Sequence, residues 1–295
     1  MTPSDRRRTI TGLLFVAPWL LGFLIFTVYP ILASFYFSLC DYRVLSPPRF
    51  IGLGNYTAML RDTDYFWRSV LNTAFMFIEL PLALALSLGI AMLLNQRLKG
   101  IAFFRAIYYL PAVIPTVASA VLWRWLLNPE YGLINDFLTK LHLPRLGWLT
   151  DPVWSKPSFI LMDLWTVGGG IVIYLAGLQG VPQHLYEAAQ MDGANVWQQF
   201  RHVTLPMLSP VIFFNLIMGV IGTFQYFTQT FVMTNGGPDN STLFYALYLF
   251  QNAFQFFRMG EACAMAWILF ALTMGATWLV FKSSARWVYY EGGLK

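Results

Sequence analysis

Long apolar runs alternate with shorter polar stretches along the whole sequence of 295 residues. Six of the runs reach about 20 residues or more, the length that an α-helix needs to cross the hydrocarbon core of a bilayer. Because backbone polar groups in lipid must be satisfied within the segment, we predict helices. The predicted spans cover residues 9–39, 69–94, 101–127, 159–178, 207–233 and 262–282.

These spans predict an all-α polytopic membrane protein with both termini on one side of the membrane. No internal repeat, low-complexity tract or composition shift marks a second folded domain, so we expect residues 1–295 to form a single transmembrane domain. Turn signals at residues 128–157 predict a long loop between the third and fourth spans.

The longest polar stretch of the C-terminal half lies at residues 180–206, between the fourth and fifth spans. Pro182 suits the first turn of a helix that we expect to run to about Met191. Gly193 can take a positive φ after the helix end, and Asn195 can cap a second helix. The stretch therefore predicts an elbow of two short helices. From these features alone, an ordinary amphipathic connector lying on lipid is an equal alternative.

Composition agrees with a membrane protein, because 57% of the residues are hydrophobic and only 11% are charged. A soluble domain carries about 25% charged residues. The run Arg6–Arg8 abuts the first span and favours a cytoplasmic N-terminus, although the bases of all the loops together do not decide the orientation. The bases form no stripe that suggests nucleic acid. Cys40 and Cys263 fit no metal spacing, and we expect two inert thiols rather than a disulfide.

No motif in the sequence predicts an enzyme. The phosphate-binding pattern GxxxxGK[ST] and the zinc pattern HExxH do not occur, and the three His residues do not cluster. We therefore expect no catalytic residue, no metal site and no cofactor on this chain.

Two acids lie within predicted spans, where ionisable side chains are functional candidates. Glu79 lies in the middle of the second span, and either a structural hydrogen bond or a role in a solute pathway fits it equally. Asp163 lies near the predicted outer interface, where hydration alone is sufficient to satisfy its carboxyl group without a functional role. For the small-residue run Gly168–Gly170, close helix packing is favoured over a role at a substrate.

The fifth span carries a mixed run of hydroxyl, amide and aromatic side chains at residues 223–229. A sugar requires such a mixture, because its hydroxyl groups need polar partners and its apolar ring face suits an aromatic ring. Hydrogen bonding between helices is the alternative for these side chains. On this basis Thr223, Gln225, Tyr226 and Thr228 are candidates for a solute path.

The polar stretch between the fourth and fifth spans contains Glu187, Ala188 and Ala189, then Gly193, then Val203, Leu205 and Pro206. With these residues at this spacing, it resembles the EAA loop of ABC importer permeases. In that family the loop is a coupling helix that docks on a cytosolic ATPase subunit. One position departs from the pattern, since Val203 stands where the family more often has Ile. The resemblance implies coupling roles for Glu187, Ala188, Ala189, Asp192, Gly193, Ala194, Leu205 and Pro206.

Further motifs resemble the maltose-type sugar permeases, and among these the first of two paired subunits. They occur in order and cover nearly the whole chain: FIGLGNY at 50–56, YLPAVIP at 109–115, LLNPEYGLIN at 126–135 and TNGGP at 234–238. The resemblance adds Trp165, Thr166 and Gly169 on the fourth span to the solute-path candidates.

The resemblance implies a type I importer permease fold in a bacterial inner membrane, with both termini cytoplasmic. It also implies a second permease, two ATPase subunits that hold ATP and magnesium, an extracytoplasmic binding protein and a sugar as solute. Three alternatives remain open: a permease for another solute such as a polyol or glycerol phosphate, a stand-alone channel, and a secondary transporter.

Overall fold

The computed structural model describes residues 3–96 and 98–289, with side chains from residue 11 onward. The side chains of Arg6–Arg8 and both chain ends therefore lie outside the described residues. Almost all regular structure in the described part is helical, as predicted. One antiparallel pair of short strands joins Cys40–Asp41 to Arg49–Phe50.

Among the described residues, three stretches of helix are long and apolar enough to cross a bilayer by themselves: Thr11–Ser38, Phe66–Leu94 and Met259–Ser284. They correspond to the predicted first, second and sixth spans. Three bent pairs of helices bring the total to six if each pair crosses as one span: Ile101–Val113 with Thr116–Leu126, Pro152–Trp165 with Gly168–Gly180, and Val196–Met207 with Ser209–Phe224.

Several spans are built from more than one helix. The first contains Pro3–Phe23, a π-helical turn Leu24–Val28 and Tyr29–Ser38, and the second contains Phe66–Met76 and Glu79–Leu94. The remaining helical segments are Gly54–Arg61, Leu133–Lys140, Trp148–Thr150, Gln183–Met191, Val196–Gln199, Phe200–Thr204, Leu205–Met207, Thr228–Met233, Tyr245–Phe250 and Gln251–Gln255.

The third span differs most from its prediction, because its two helices meet at an angle of 98°. Ile114 lies at the bend with an extended backbone, φ −69° and ψ 130°. It precedes Pro115, and the proline ring disfavours the helical region for the residue before it. The predicted span at residues 101–127 is therefore divided into two helices at this bend.

Two other boundaries also move. The fourth span begins at Pro152 rather than at residue 159, because Asp151 caps it by accepting a hydrogen bond from the backbone N–H of Val153 at 2.8 Å. The helix that begins the fifth span stops at Phe224, and the chain becomes helical again only at Thr228.

The expected long loop at residues 128–157 contains the helix Leu133–Lys140. Asp136 and Lys140 form an exposed ion pair on this helix, with 2.8 Å between the carboxylate oxygen and Nζ. The ion pair lowers the pKa of Asp136 and raises that of Lys140.

The chain divides into two compact units, one of residues 1–62 with Leu249–Phe270 and one of Thr63–Tyr248 with residues 271–295. In the first unit, the side-chain amide of Asn55 donates to the carbonyl groups of Ser38 and Cys40 at 2.8 and 2.9 Å. Cys40 and Cys263 are both free thiols. That the whole chain acts as a single transmembrane domain stays a prediction.

The second unit is organised around two clusters of buried apolar side chains. One cluster includes Trp123, Phe159 and Tyr226, and the other includes Ile171 and Tyr174. Both clusters contribute walls to the cavity described next.

Candidate solute cavity and coupling elbow

A cavity of about 370 Å³ lies within the second unit, between the second, fourth and fifth spans. Its walls mix apolar residues with a set of polar ones. The polar members are Glu79, Ser87, Asp163, Thr166, Tyr174, Asn215, Thr223, Tyr226 and Gln229. Because polar groups are costly in hydrocarbon, their convergence on one space indicates a route for a polar solute.

Asp163 is the centre of the polar set. The hydroxyl of Tyr226 donates a hydrogen bond of 2.6 Å to its carboxyl group. Tyr226 is only 8% exposed, and the rings of Phe159 and Phe244 contact it edge-on at centroid distances of 6.0 and 5.4 Å. The tyrosine is therefore held by packing, and its hydroxyl fixes the orientation of the acid.

Helix breaks bring further polar groups to the same carboxyl. Glu79 and Gln229 both lie close enough to Asp163 to interact with its side chain. Glu79 opens the second helix of its span, directly after the break at residues 77–78. Gln229 lies on the short helix Thr228–Met233, beyond the interruption of the fifth span. The breaks in the second and fifth spans thus place Glu79 and Gln229 beside Asp163.

A second cavity of about 270 Å³ lies on the other side of Asp163. It shares Asp163, Thr166 and Gln229 with the first cavity. Most of its remaining wall comes from the kink of the third span, including Ile114 and Ser119, and the rest is Met162 and Gly169 of the fourth span. The kink that the sequence analysis missed therefore forms one side of the polar region.

The structure brings some of the predicted path residues together and leaves others apart. Thr166, Thr223 and Tyr226 line the first cavity, and Thr166 and Gly169 line the second. The other three candidates lie elsewhere: Trp165 contacts Trp123 at a ring-centroid distance of 5.9 Å, Gln225 is exposed, and Thr228 begins a short helix. A sugar contact for any of them stays a prediction.

Sequence reasoning missed the central position of Asp163, for which hydration near the outer interface was expected to be sufficient. It also missed Ser87, Tyr174 and Asn215, which all line the first cavity. Ser87 and Asn215 carried a usable signal, since each is a lone polar residue within a long apolar run.

The elbow between the fourth and fifth spans has the predicted geometry. Its first helix runs Gln183–Met191, and Gly193 follows with φ +77°. Asn195 and Gln198 form a capping box, with reciprocal hydrogen bonds of 2.9 and 2.8 Å between side chain and backbone. The turn and the cap both arise from local sequence, which explains why they were predictable.

The elbow exposes much of its surface. Glu187 and Ala188 are exposed and Ala189 is half-buried, while the side chain of Gln183 donates to Glu187 at 2.9 Å. The tip carries apolar side chains with high exposed fractions: Met191 at 89%, Val196 at 81% and Trp197 at 67%. An apolar surface of this kind, beside small residues, suits contact with another protein.

One hydrogen bond joins the two arms of the elbow. The hydroxyl groups of Tyr186 and Thr204 lie 3.0 Å apart, and Thr204 is buried. A groove of about 310 Å³ runs along the inside of the bend, lined by Ala189, Asp192, Gly193, Ala194, Gln198, His202 and Val203. Of the other two predicted coupling residues, Leu205 is 37% exposed and Pro206 is half-buried.

Comparison with known proteins relates most of the chain to transport proteins. The family model for binding-protein-dependent transport system inner membrane components matches residues 63–289. "Probable ABC transporter permease protein YesP" of Bacillus subtilis (strain 168) is 39% identical over 293 residues, 98% of this chain and 94% of that protein.

Two further relatives carry the name of a solute. The trehalose/maltose transport system permease protein MalF of Thermococcus litoralis is 33% identical and aligns over 94% of each chain. The lactose transport system permease protein LacF of Rhizobium radiobacter is 34% identical, over 93% of this chain and 94% of that protein.

Among solved structures, a chain of a bacterial alginate ABC transporter, in complex with an alginate pentasaccharide-bound periplasmic protein, has a TM-score of 0.85 to this chain. It is 24% identical, and the match covers 96% of both chains. The likeness shows a shared fold, and together with the family match it confirms the predicted helical fold of a type I importer permease.

Proposed function

The chain belongs to the family of binding-protein-dependent transport system inner membrane components, and from that premise we propose that it is one permease subunit of an ATP-driven sugar importer. One observation carries the proposal: polar side chains from three spans converge on Asp163 within an otherwise apolar membrane domain. This cavity is the part of the importer through which the sugar passes.

The chemistry of the cavity walls suits a sugar. Thr223 and Asn215 supply hydroxyl and amide groups, Asp163 supplies carboxylate oxygens, and Tyr226 supplies an aromatic ring. Sugars also occur in the names of the trehalose/maltose and lactose permeases that resemble this chain.

The elbow is the docking surface for an ATPase subunit. Its exposed small residues allow close approach, and the apolar tip around Met191 and Val196 loses water on docking. Glu187 stands beside this tip, where it can pair with a base on the ATPase. Hydrolysis takes place on the ATPase subunits, which hold ATP and magnesium, so the permease itself is not catalytic.

The complete importer contains a second permease, two ATPase subunits and an extracytoplasmic binding protein. The permease lies in a bacterial inner membrane with both termini and the elbow in the cytoplasm. ATP binding closes the ATPase pair, the elbow transmits this movement, and the cavity changes the side to which it opens. Each ligand drives the cycle by binding one state more tightly than the other.

Uptake by proteoliposomes tests the proposal. The two permeases and the ATPase are reconstituted with ATP inside, and the binding protein and labelled maltose, trehalose or lactose are added outside. The proposal predicts accumulation of at least one sugar that requires both ATP and the binding protein. Uptake that needs neither would support a channel or a secondary transporter. Uptake of only a polyol or glycerol phosphate would show that the solute of the importer is not a sugar.

Docking is tested separately by a pull-down of the ATPase. Ala188→Trp adds bulk to the exposed face of the first elbow helix and is expected to release the ATPase. Val117→Trp is a matched control, because Val117 is also exposed but lies on the third span. Full retention of the ATPase by Ala188→Trp would show that the elbow only connects two spans and does not dock the ATPase.

A further inference from the structure

The first cavity contains an acidic pair, Glu79 and Asp163. Glu79 and Asp163 come from different spans, and their side chains lie close enough to interact. Tyr226 donates to Asp163 at 2.6 Å. The pair therefore presents carboxyl oxygens to the first cavity, and Asp163 also lines the second.

No base balances this pair from the walls. Among the described residues that line either cavity, none is Lys, Arg or His. Two nearby bases of the same unit are engaged elsewhere: Lys156 donates to the side chain of Asn72 at 3.1 Å, and Arg124 donates to the carbonyl of Val232 at 3.3 Å. Any charge that the cavity walls of this chain carry is consequently negative.

Two buried hydroxyl groups on the walls point independently to a ligand. Tyr174 lines the first cavity and is 1% exposed, and Ser119 lines the second and is 3% exposed. Within the part of the chain that the structure describes, neither hydroxyl has a hydrogen-bond partner. Buried polar atoms are nearly always paired, so an unpaired hydroxyl on a cavity wall indicates a missing partner.

We propose that the acidic pair contacts the solute and restricts the permease to sugars without an acidic group. This proposal rests on the proposed function of sugar import. Carboxyl oxygens of Glu79 and Asp163 accept hydrogen bonds from sugar hydroxyls, and the hydroxyls of Tyr174 and Ser119 provide further partners. A uronate instead brings a negative charge into a space that holds two carboxyl groups and no base.

Like charges repel strongly where little water screens them. Discrimination between two solutes of similar size often depends on such a repulsive element rather than on additional attraction. The acidic pair is thus a specificity device for the cavity, in addition to its role in binding sugar hydroxyls.

The first test measures the sign of the charge without any sugar. Thr166 lines both cavities, so Thr166→Cys places a thiol at their junction, in a background of Cys40→Ser and Cys263→Ser. The complete importer in nanodiscs is treated with a cationic methanethiosulfonate, the ethylammonium reagent, and with the anionic ethylsulfonate reagent. Relative to a free thiol in solution, we expect the cationic reagent to be favoured by about tenfold or more.

Glu79→Gln and Asp163→Asn are then combined in the same background. We expect the ratio of the two reaction rates, cationic reagent over anionic reagent, to return to its value for a free thiol in solution. Glu79→Asp keeps the charge and is the matched control, which should keep the preference. Equal reaction with both reagents before the amide substitutions, or reaction with neither, would overturn the proposal.

The second test measures transport in proteoliposomes with labelled lactose, maltose, trehalose and digalacturonate. We expect uptake of a neutral disaccharide and no uptake of digalacturonate by the unmodified importer. Import of digalacturonate at a rate comparable to a neutral sugar would overturn the inference and leave sugar import standing. If no sugar is imported although the cationic reagent is preferred, the proposed function fails, and the inference about the solute fails with it.

Discussion

The cavity around Asp163 and the elbow at Gln183–Thr204 are held in place by different kinds of interaction. Asp163 is oriented by Tyr226, 63 positions away in sequence, and the tyrosine by packing against Phe159 and Phe244. The elbow is shaped mainly by interactions within a few residues, such as the capping box at Asn195. The Tyr186–Thr204 contact, in addition, joins residues 18 positions apart across the elbow.

Because of this difference, we expect the cavity and the elbow to respond differently to amino-acid substitutions. A local turn depends on the backbone conformation of one residue, so a substitution that disfavours this conformation changes the geometry of the whole elbow. A site assembled from several spans loses one contact at a time, because its helices are also held by the apolar clusters on either side. A substitution in the turn of the elbow should therefore remove more activity than the loss of a single contact in the cavity.

Gly193→Val is expected to have the largest effect. A β-branched residue at φ +77° is strained by about 1–3 kcal/mol, and the strain falls on the turn that sets the angle of the elbow. We expect uptake to fall at least about tenfold in proteoliposomes, while the two permeases still assemble. Gly193→Asn is the control, since Asn tolerates this conformation and should retain most activity. Equal loss in both variants would show that conformation is not the cause.

Tyr226→Phe is expected to have an intermediate effect. It removes only the hydroxyl that donates to Asp163, and removing the partner of a buried polar group costs about 1–3 kcal/mol. We expect less sugar moved per ATP hydrolysed, with ATPase binding unchanged. Tyr56→Phe removes a similar hydrogen bond, to Ser38, within the other compact unit and is the matched control. An unaltered sugar-to-ATP ratio in Tyr226→Phe would argue against a path through this cavity.

Asn195→Ala is expected to have a smaller effect, because loss of a cap costs about 1 kcal/mol. Hydrogen exchange should become faster at the backbone amides of the short helix Val196–Gln199, with uptake reduced only a few-fold. Asn195→Ser retains a capping side chain and should exchange at nearly the original rate. Unchanged exchange in Asn195→Ala would mean that other contacts hold the elbow.

Asp136→Asn should have the smallest effect, because the ion pair with Lys140 is exposed and local. The pair lowers the pKa of Asp136, so its contribution is present above the ordinary pKa of an aspartate and is lost as pH falls through the lowered value. The raised pKa of Lys140 gives a contribution that is lost only as pH rises through that value. Both contributions are present at pH 7, but exposure to solvent keeps them small, so thermal unfolding at pH 7 should give nearly the same Tm with and without the substitution. A fall of several degrees would contradict this.

The same contrast explains how much the sequence could predict. Gly193 and Asn195 act through backbone conformation and a neighbouring amide, so their roles follow from local residue types. The spans were predictable from length and hydrophobicity alone. The bend at Ile114 also had a local signal in Pro115, although its angle of 98° did not follow from it.

The meeting of Glu79, Asp163 and Gln229 was not predictable in this way. It depends on how three spans pack and on two helix breaks, neither of which has a proline or glycine at the break itself. An acid in a span shows that a partner is needed, but periodicity does not identify which span supplies it.

The most direct measurement is the amount of sugar moved and of ATP hydrolysed, in the same proteoliposomes, by Thr223→Ala and by Glu187→Lys. Thr223 lines the cavity, and Glu187 lies on the exposed face of the elbow. If the cavity carries the sugar and the elbow carries the ATPase, Thr223→Ala lowers the sugar moved per ATP while hydrolysis continues. Glu187→Lys then lowers hydrolysis itself and leaves the sugar moved per ATP unchanged. The same change in both variants, or no change in either, would contradict the division of roles.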